Sequence, residues 1–278
     1  AEALASGGVD LLLLETCFDA LNTKAAIYAI QQATKDIPLI ISVSVSDRSG
    51  RTLTGQTLEA FYTSVRHAPL LAFGVNCSLG ARDLAPLVRE IARFSEFPVL
   101  CYPNAGLPNE MGQYDETPER MAADMRALAQ PPDLSGGIVN LVGGCCGTTA
   151  DHIRALAAAV RDIPPRPLPQ SRKMLTVCGL ETVEIDLESR NFTNVGERTN
   201  VAGSRKFAKL IAGRDYKAAL QIASDQIENG AGIIDINMDD AMLDSEKEMV
   251  TFIRYAQNDP AVARAALMID SSRWETVR

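Results

Sequence analysis

Three features common in other classes of protein are missing from this sequence of 278 residues. No apolar run approaches the roughly 18 residues that a membrane-spanning helix requires. The first residues, Ala1-Glu2-Ala3-Leu4, lack the basic start and the apolar stretch of a secretory signal peptide. The net charge is -8, which argues against a nucleic-acid-binding surface. We therefore expect a cytoplasmic protein that binds neither membranes nor nucleic acids.

Motifs for several kinds of chemistry are also missing. No G-x-G-x-x-G follows a candidate strand, so a dinucleotide-binding fold has no direct support. The two histidines, His67 and His152, lie in helical contexts and are predicted to be surface or packing residues. The sequence therefore offers no good candidate for the histidine of a Ser-His-Asp mechanism. Six cysteines in a chain of this length do not make a disulfide scaffold, so we expect reduced thiols.

Apolar strands and amphipathic helices alternate through residues 1–160, which predicts an α/β fold. The strands are rich in Val, Ile and Leu without clean alternation, as expected for parallel strands buried on both faces. They span residues 9–15, 39–45, 71–77, 99–103 and 138–143. The alternation fits a doubly wound sheet or a (βα)8 barrel. Because polar and reactive groups follow the strands, as at the catalytic face of a barrel, we predict a barrel. Only its last five strands are present, and the first three would precede Ala1.

A proline-rich segment separates this region from a second one. Pro164, Pro165, Pro167 and Pro169 stop helices and stiffen the chain. The β-α rhythm then resumes, with candidate strands at 192–195, 233–237 and 267–270 and a helix over 215–229. We therefore predict two consecutive, incomplete (βα)8 TIM-type barrels in an internal piece of a longer protein. Their boundaries are 1–163, a linker and lead-in over 164–190, and 191–278.

Adjacent cysteines follow the last candidate strand of the first region, in Gly143-Gly144-Cys145-Cys146-Gly147. Cys77 ends another apolar run. Three thiols at strand ends suit a soft metal ion such as zinc and leave one position of a tetrahedral shell open for a substrate. The alternative is that Cys145 and Cys146 are small core residues or a vicinal disulfide. We interpret Cys17 and Cys101 as packing residues.

Other polar residues follow the strands of the first region. Glu15 places a carboxylate where it could hold the ammonium of an amino-acid substrate, although it could equally be a helix-start carboxylate near Asp19. Thr16 follows it directly. Asn104 lies in a loop after another strand, where it could bind a substrate or fix the turn.

The second region offers carboxylates and amides at its strand ends. An aspartate there could accept two hydrogen bonds from the donor-rich edge of a pterin ring. The alternative is that these side chains cap the following helices. The candidate residues are Asn194, Glu197, Arg198, Asn200, Asp235, Asn237, Asp270 and Ser271.

Several of these motifs resemble a known family. The segment 75–80 with 143–147 is similar to the zinc-dependent homocysteine S-methyltransferases. Three further segments, 15–19, 49–57 and 101–108, narrow the resemblance to the cobalamin-dependent methionine synthases. The second region is similar to the folate-binding barrel of the same family through 196–207, 235–239 and 269–272, in the same order along the chain.

The resemblance implies a reaction. Cys77, Cys145 and Cys146 would bind zinc, zinc would bind the homocysteine sulfur, and Glu15 would help to hold the amino group. A methyl group would pass from 5-methyltetrahydrofolate, bound near Asn237 and Asp270, to cobalamin and then to homocysteine, giving methionine and tetrahydrofolate. No Asp-x-His-x-x-Gly cobalamin motif occurs in this sequence. Methylcobalamin is therefore expected on another domain, and the partners would include the cobalamin-binding and reactivation domains.

Two rival functions stay open at this point. The chain could be a cobalamin-independent homocysteine S-methyltransferase, although such an enzyme would need only the first region. It could also be an inactive zinc-binding remnant.

Overall fold

A computed structural model describes residues 1–170, 174–186, 188–189 and 192–278. The chain forms two compact units, Ala1–Arg172 and Lys173–Arg278. Residues 171–173, 187 and 190 of the predicted linker, and residue 191 at the predicted start of the second barrel, lie outside the described residues. None of the helices in the described part of the chain has the length and apolar character that a membrane span requires.

The first unit is built around a five-stranded sheet in the order β1-β2-β3-β4-β5, and each neighbouring pair is parallel. Its strands are β1 (Leu12–Cys17), β2 (Leu39–Val43), β3 (Leu70–Gly80), β4 (Val99–Asn104) and β5 (Leu141–Val142). Its helices are α1 (Glu2–Ser6), α2 (Ala20–Ala33), α3 (Leu58–Val65), α4 (Ala81–Phe94), α5 (Pro118–Ala129) and α6 (Ala150–Val160). The predicted α/β fold with parallel strands is confirmed, and the sheet is consistent with part of a TIM-type barrel.

The central strands of this sheet bury residues on both faces, which explains why they lack alternation. One face packs against the helices through residues such as Ile41, Phe73 and Val75, which belong to the main core. The other face carries a smaller apolar cluster of Ile40, Ala72 and Leu100.

Strand β5 is shorter than the predicted strand over 138–143. The side chain of Asn140 accepts a hydrogen bond from Val99 N (2.8 Å), while Asn140 N donates to Val99 O (2.7 Å). At the start of β4, the Asn140 side chain thus accepts the hydrogen bond that a main-chain carbonyl would accept in a regular parallel pair. Regular pairing begins only at Leu141, which lies opposite Leu100.

The second unit has a parallel three-stranded sheet in the order β10-β9-β8 and an antiparallel hairpin, β6-β7. Its strands are β6 (Leu175–Cys178), β7 (Thr182–Ile185), β8 (Val195–Asn200), β9 (Ile233–Asn237) and β10 (Ala266–Asp270). Its helices are α7 (Arg205–Ala212), α8 (Tyr216–Glu228), α9 (Ser245–Gln257), α10 (Pro260–Arg264) and α11 (Trp274–Val277). The core centres on Phe207 and Phe252, whose rings meet edge to face with centroids 5.3 Å apart.

The predicted first strand of this unit, over 192–195, is wrong. The strand begins where the prediction ended, because the polar segment that follows pairs with β9. The Thr199 hydroxyl donates to the Asp235 carbonyl, and Arg198 N donates to Gln226 Oε1 at 2.7 Å. Only Gly196 and Thr199 are buried within β8, so apolar patterning could not reveal it.

Candidate metal centre

The candidate site of the first unit lies at the carboxyl ends of its strands. Cys77 is near the end of β3, and Cys145 and Cys146 follow β5. Parallel strands end at the same edge of a sheet, so residues distant in sequence meet there. The backbone is strained at this edge, because Cys77 and Ser78 both have a φ of +63° and Thr16 has one of +58°. Left-handed conformations of non-glycine residues cluster at functional sites.

The segment 143–147, called the cysteine turn below, runs alongside the end of β4 and is held there by main-chain hydrogen bonds. Cys145 N donates to Pro103 O (2.7 Å), and Ala105 N donates to Cys146 O (2.8 Å). The side chain of Asn104 completes the turn by accepting from Cys146 N at 3.2 Å. These contacts present both thiols from one short segment.

Glycines are required around these cysteines because neighbouring side chains pack directly on the backbone. A Cβ at Gly144 would lie 2.3 Å from Thr148 Oγ1. At Gly147, which has a φ of +76°, a Cβ would lie 2.3 Å from the Cβ of Tyr114. The turn therefore tolerates only glycine at these two positions.

The three sulfur atoms of Cys77, Cys145 and Cys146 all lie within 4.8 Å of one another. Cys77 Sγ and Cys146 Sγ are 3.6 Å apart. Four ligands at the usual zinc–sulfur distance of about 2.3 Å around a tetrahedral ion have sulfur–sulfur separations of about 3.8 Å. The donor set and its spacing thus fit zinc. Both adjacent cysteines are free thiols, which argues against a vicinal disulfide.

The pKa values of the adjacent thiols Cys145 and Cys146 are shifted in opposite directions. Burial raises the pKa of Cys145 to about 11, although a hydrogen bond from Asn76 acts in the opposite direction. The hydrogen bond with Cys77 lowers the pKa of Cys146, and a further hydrogen bond from Tyr114 adds to this effect. A bound cation would hold all three thiols in the deprotonated form, since metal ligation requires thiolates.

Sequence reasoning missed Asn76 as part of this site. Its side chain is buried and forms hydrogen bonds with Thr16, Ser42 and Cys145. The available signal was a lone amide within the apolar run of β3, immediately before Cys77. Tyr102 and Tyr114 were also missed. Burial, and secondly the charge of Glu15, raise the pKa of Tyr102.

The predicted substrate residues of the first unit lie at the same edge. Glu15 and Thr16 are exposed at the end of β1, where the register with β2 shifts between Leu14 and Cys17. Thr16 forms a hydrogen bond with Asn76, and Asn104 forms one with the main chain of Cys146 in the cysteine turn. Glu15, Thr16 and Asn104 therefore all belong to the strand ends that carry the cysteines.

The remaining cysteines and histidines of this unit have other surroundings. Cys101 is fully buried, and burial raises its pKa to about 12. Cys17 packs against the core from the end of β1. His152 accepts from Thr149 N and contacts the Glu116 carbonyl, which fixes the start of α6, while His67 is exposed.

A second candidate site lies at the strand ends of the second unit. Asn237 Nδ2 donates to Asp270 Oδ2 (2.8 Å), and Asn237 Oδ1 accepts from Asp239 N (2.8 Å). Asp235 is buried, and its Oδ1 has no hydrogen-bond partner among the described residues. Burial raises the pKa of Asp235, and the charges of Asp270 and Glu197 act in the same direction. A buried carboxylate oxygen without a partner can accept a hydrogen bond from a donor-bearing ligand.

The other predicted residues of this unit have more local contacts. Asn200 Oδ1 accepts from Ala202 N and Gly203 N and so fixes the turn after β8. Ser271 Oγ donates to Asp239 Oδ1 at 2.7 Å. Two further residues, Glu197 and Arg198, form an exposed ion pair, and the side chain of Asn194 is exposed.

Comparison with known proteins gives two family matches along the chain. Residues 1–160 match the model described as homocysteine S-methyltransferase, and residues 196–278 match the model described as pterin binding enzyme. The first match covers more than half of the chain.

Solved structures of the homocysteine methyltransferase MmuM from Escherichia coli are also similar. The apo form is 23% identical over 57% of this chain and 52% of that chain, with a TM-score of 0.44. The oxidized form is 23% identical over 56% of this chain and 48% of that chain, with a TM-score of 0.45. This chain spans about half the length of the MmuM structures.

Proposed function

The chain belongs to the homocysteine S-methyltransferase family, and we propose that it serves methyl transfer from 5-methyltetrahydrofolate, by way of cobalamin, to homocysteine. This is the reaction of a cobalamin-dependent methionine synthase, with methionine and tetrahydrofolate as products. It would take place in the cytoplasm, where thiols are kept reduced. The observation that carries the proposal is the cluster of three sulfur atoms within 4.8 Å of one another.

Cys77, Cys145 and Cys146 would hold zinc, because their spacing and chemistry suit a tetrahedral shell with one position left for a substrate. Bound zinc would lower the pKa of a coordinating substrate thiol, so that a thiolate is present at neutral pH. Asn104 holds the main chain of Cys146 in place, and Asn76 contacts the sulfur of Cys145. These residues keep the site formed before the substrate arrives.

The chemical step is a methyl transfer to sulfur. The homocysteine thiol loses its proton to solvent, and its sulfur forms a bond to the methyl carbon as the bond between that carbon and its carrier breaks. Cobalamin, when bound, would supply the methyl group and accept the electron pair of the broken bond. The protein's contribution is to orient the nucleophile. Glu15 is exposed at the same strand ends and is suited to pair with the substrate ammonium, with Thr16 beside it.

The second unit would bind the folate. Asp235 offers a buried carboxylate oxygen without a described partner, and Asn237 and Asp270 are joined beside it. A pterin ring carries adjacent N–H donors that a carboxylate can accept in a fork. Asn200 and Ser271 would support the loops around the ring, and Glu197 and Arg198 would contact it from β8. The predicted ligand Asn194 precedes β8, and its carbonyl accepts from Gly232 N at the opposite ends of the strands, so it does not reach the ring.

Parts of two consecutive TIM-type barrels, over 1–163 and 191–278, form the proposed architecture. The order of the two family matches along one chain supports it, because a homocysteine region followed by a pterin region suits a methyl relay. Cobalamin and the reactivation function would be supplied by other domains. The same order argues against a cobalamin-independent enzyme, which would have no use for a pterin region.

The test is metal analysis of the purified chain followed by titration with homocysteine. We expect about one zinc per chain in the first unit and release of a proton when homocysteine binds. Folded protein with much less zinc, or with zinc but no proton release, would support an inactive remnant instead. Binding of methyltetrahydrofolate that depends on Asp235 tests the second unit separately.

A further inference from the structure

Asn76 is the polar side chain at the centre of the strand ends of the first unit. It lies in β3 directly before Cys77 and is 1% exposed. Its strand position places it on the face of the sheet that carries Ala72, away from the helix-facing core. A buried amide is costly unless its hydrogen-bonding groups are satisfied, so its partners indicate why it is there.

The amide of Asn76 has partners for all of its hydrogen-bonding capacity. Its Oδ1 accepts from Thr16 N (2.9 Å) and from Ser42 Oγ (2.6 Å). Its Nδ2 donates to Thr16 Oγ1 (2.9 Å) and to Cys145 Sγ (3.8 Å). The main-chain N–H of Thr16 can only donate a hydrogen bond, so the amide atom that faces it must be Oδ1. Nδ2 is therefore the atom that faces the sulfur of Cys145.

These four hydrogen bonds connect the end of β1, proposed to hold the substrate ammonium, with the cysteine cluster, proposed to hold its sulfur. On one side, two bonds hold Thr16 at a φ of +58°, a conformation that a β-branched residue rarely adopts. This bend shifts the register at the end of β1 and directs Glu15 and Thr16 out of the ladder. On the other side, an N–H contacts the sulfur of one metal ligand.

We propose that Asn76 is a positioning residue that fixes the Cys145 thiolate relative to the Glu15–Thr16 bend. It would thereby set the separation between the metal-bound sulfur and the ammonium of the substrate. This inference rests on the proposed function, because it assumes that the cysteines bind zinc and that the bend receives homocysteine. Ligand-orienting partners of this kind typically change metal affinity about 10- to 100-fold when removed.

Replacement of Asn76 by serine tests this role, with Asn140→Ser as the matched control. Asn140 is also an amide that bonds a strand N–H and a carbonyl, of Val99 and Arg166, but it does so at the opposite end of β4. The full chain would be loaded with Co(II) in place of zinc, and its ligand-field spectrum recorded with and without homocysteine. Zinc affinity would be measured by competition with a chelator.

We expect Asn76→Ser to weaken zinc binding by about tenfold or more, to change the Co(II) spectrum and to weaken homocysteine binding. Asn140→Ser should lower thermal stability but leave all three quantities unchanged. A folded Asn76→Ser protein with wild-type spectrum and affinities would overturn the inference, as would equal changes in the Asn140→Ser protein.

If the serine variant does not fold, Asn76→Thr is measured in its place, and the same changes in zinc affinity, Co(II) spectrum and homocysteine binding are expected. If neither variant folds while Asn140→Ser does, Asn76 is a folding residue and the positioning role is wrong. Failure of the proposed function is distinguishable, because the unmodified chain would then bind no zinc or no homocysteine.

Discussion

The Sγ atoms of Cys77 and Cys146 lie 3.6 Å apart although the two residues are 69 positions apart in the sequence. This approach depends on β3, β4 and β5 ending at one edge of a parallel sheet. It brings together thiols from two segments and leaves room for a third, Cys145, within the same small volume. The sheet thus builds the proposed metal centre, and no local zinc-finger spacing is needed.

Loss of a cluster cysteine should abolish zinc binding. We expect Cys77→Ser and Cys146→Ser each to reduce zinc from about one equivalent to a small fraction, because two thiolates do not complete the site. Metal analysis after dialysis against a weak chelator measures this. Cys17→Ser is the control, since Cys17 is a free thiol at the end of β1 that lies outside the cluster. Zinc that remains bound after either cluster substitution would contradict the assignment of these cysteines as zinc ligands.

A methyl group at Gly147 should disrupt the cysteine turn. Gly147 and Gly112 both have a φ of +76°, but only Gly147 is crowded, with Tyr114 Cβ 2.3 Å from the position of an added Cβ. We expect Gly112→Ala to cost about 1–2 kcal/mol from backbone strain alone. Gly147→Ala should cost roughly 2–4 kcal/mol and weaken zinc binding, because overpacking adds to the strain.

Hydrogen exchange of peptides from residues 1–160 separates the two alanine variants, because it reports on the first unit alone. Equal losses of protection in both would mean that the Tyr114 contact relaxes at little cost. The zinc content of each variant would show whether the turn itself has moved.

Sequence patterns predicted the part of the site that depends on strand ends. The cysteines and Glu15 follow apolar runs, and in a parallel sheet such positions meet whatever the exact strand limits are. Asn76 could not be found in this way, since its partners Thr16, Ser42 and Cys145 lie in separate segments. A lone amide in a strand shows that a partner must exist, but not which residue it is.

The fold was least predictable where pairing depends on polar side chains. Strand β8 was misplaced because most of its residues are exposed and its contacts come from Thr199 and Gln226. The hairpin of β6 and β7 was missed because its strands are only four residues each. By contrast, β9 is almost wholly buried and was predicted with its observed limits, Ile233–Asn237.

Removal of the Asp235 charge should stabilise the second unit at neutral pH. Burial raises the pKa of Asp235 above its unfolded value, so its protonated form is favoured in the folded state. Stability from this group is therefore fully present below the unfolded pKa and is lost as pH rises through the folded pKa. We expect Asp235→Asn to raise Tm by roughly 2–5 °C at pH 7 and to have little effect at low pH.

Fluorescence of Trp274, the single tryptophan, reports on this unit during heating. Glu275→Gln is the control, because it removes an exposed carboxylate of the same unit. A decrease of Tm in Asp235→Asn at pH 7 would show that the ionised carboxylate is stabilised in the fold. Folate binding should be lost in Asp235→Asn in either case, since the amide cannot reproduce the carboxylate fork.

The side chain of Arg166 should stabilise the first unit from the end opposite the metal centre. Arg166 is 6% exposed, and its guanidinium donates to the carbonyls of Ala92, Ser95 and Phe97 around the end of α4. Positive charge is favourable at a helix carboxyl end, and the carbonyls there have few other partners. We expect Arg166→Met to cost roughly 2–4 kcal/mol, since it removes the guanidinium donors from the carbonyls of Ala92 and Ser95.

Arg126→Met is the matched control for this substitution. Arg126 in α5 also pairs with a residue outside its own helix, Asp162, and donates to the carbonyl of Ala159, but the pair is exposed and a solvated ion pair contributes little. Hydrogen exchange of peptides covering α4 should therefore increase strongly in Arg166→Met and only slightly in Arg126→Met. Zinc content should stay unchanged in both, because neither residue lies at the strand ends that carry the cysteines. Loss of zinc from folded Arg166→Met would show that the two ends of the sheet are coupled.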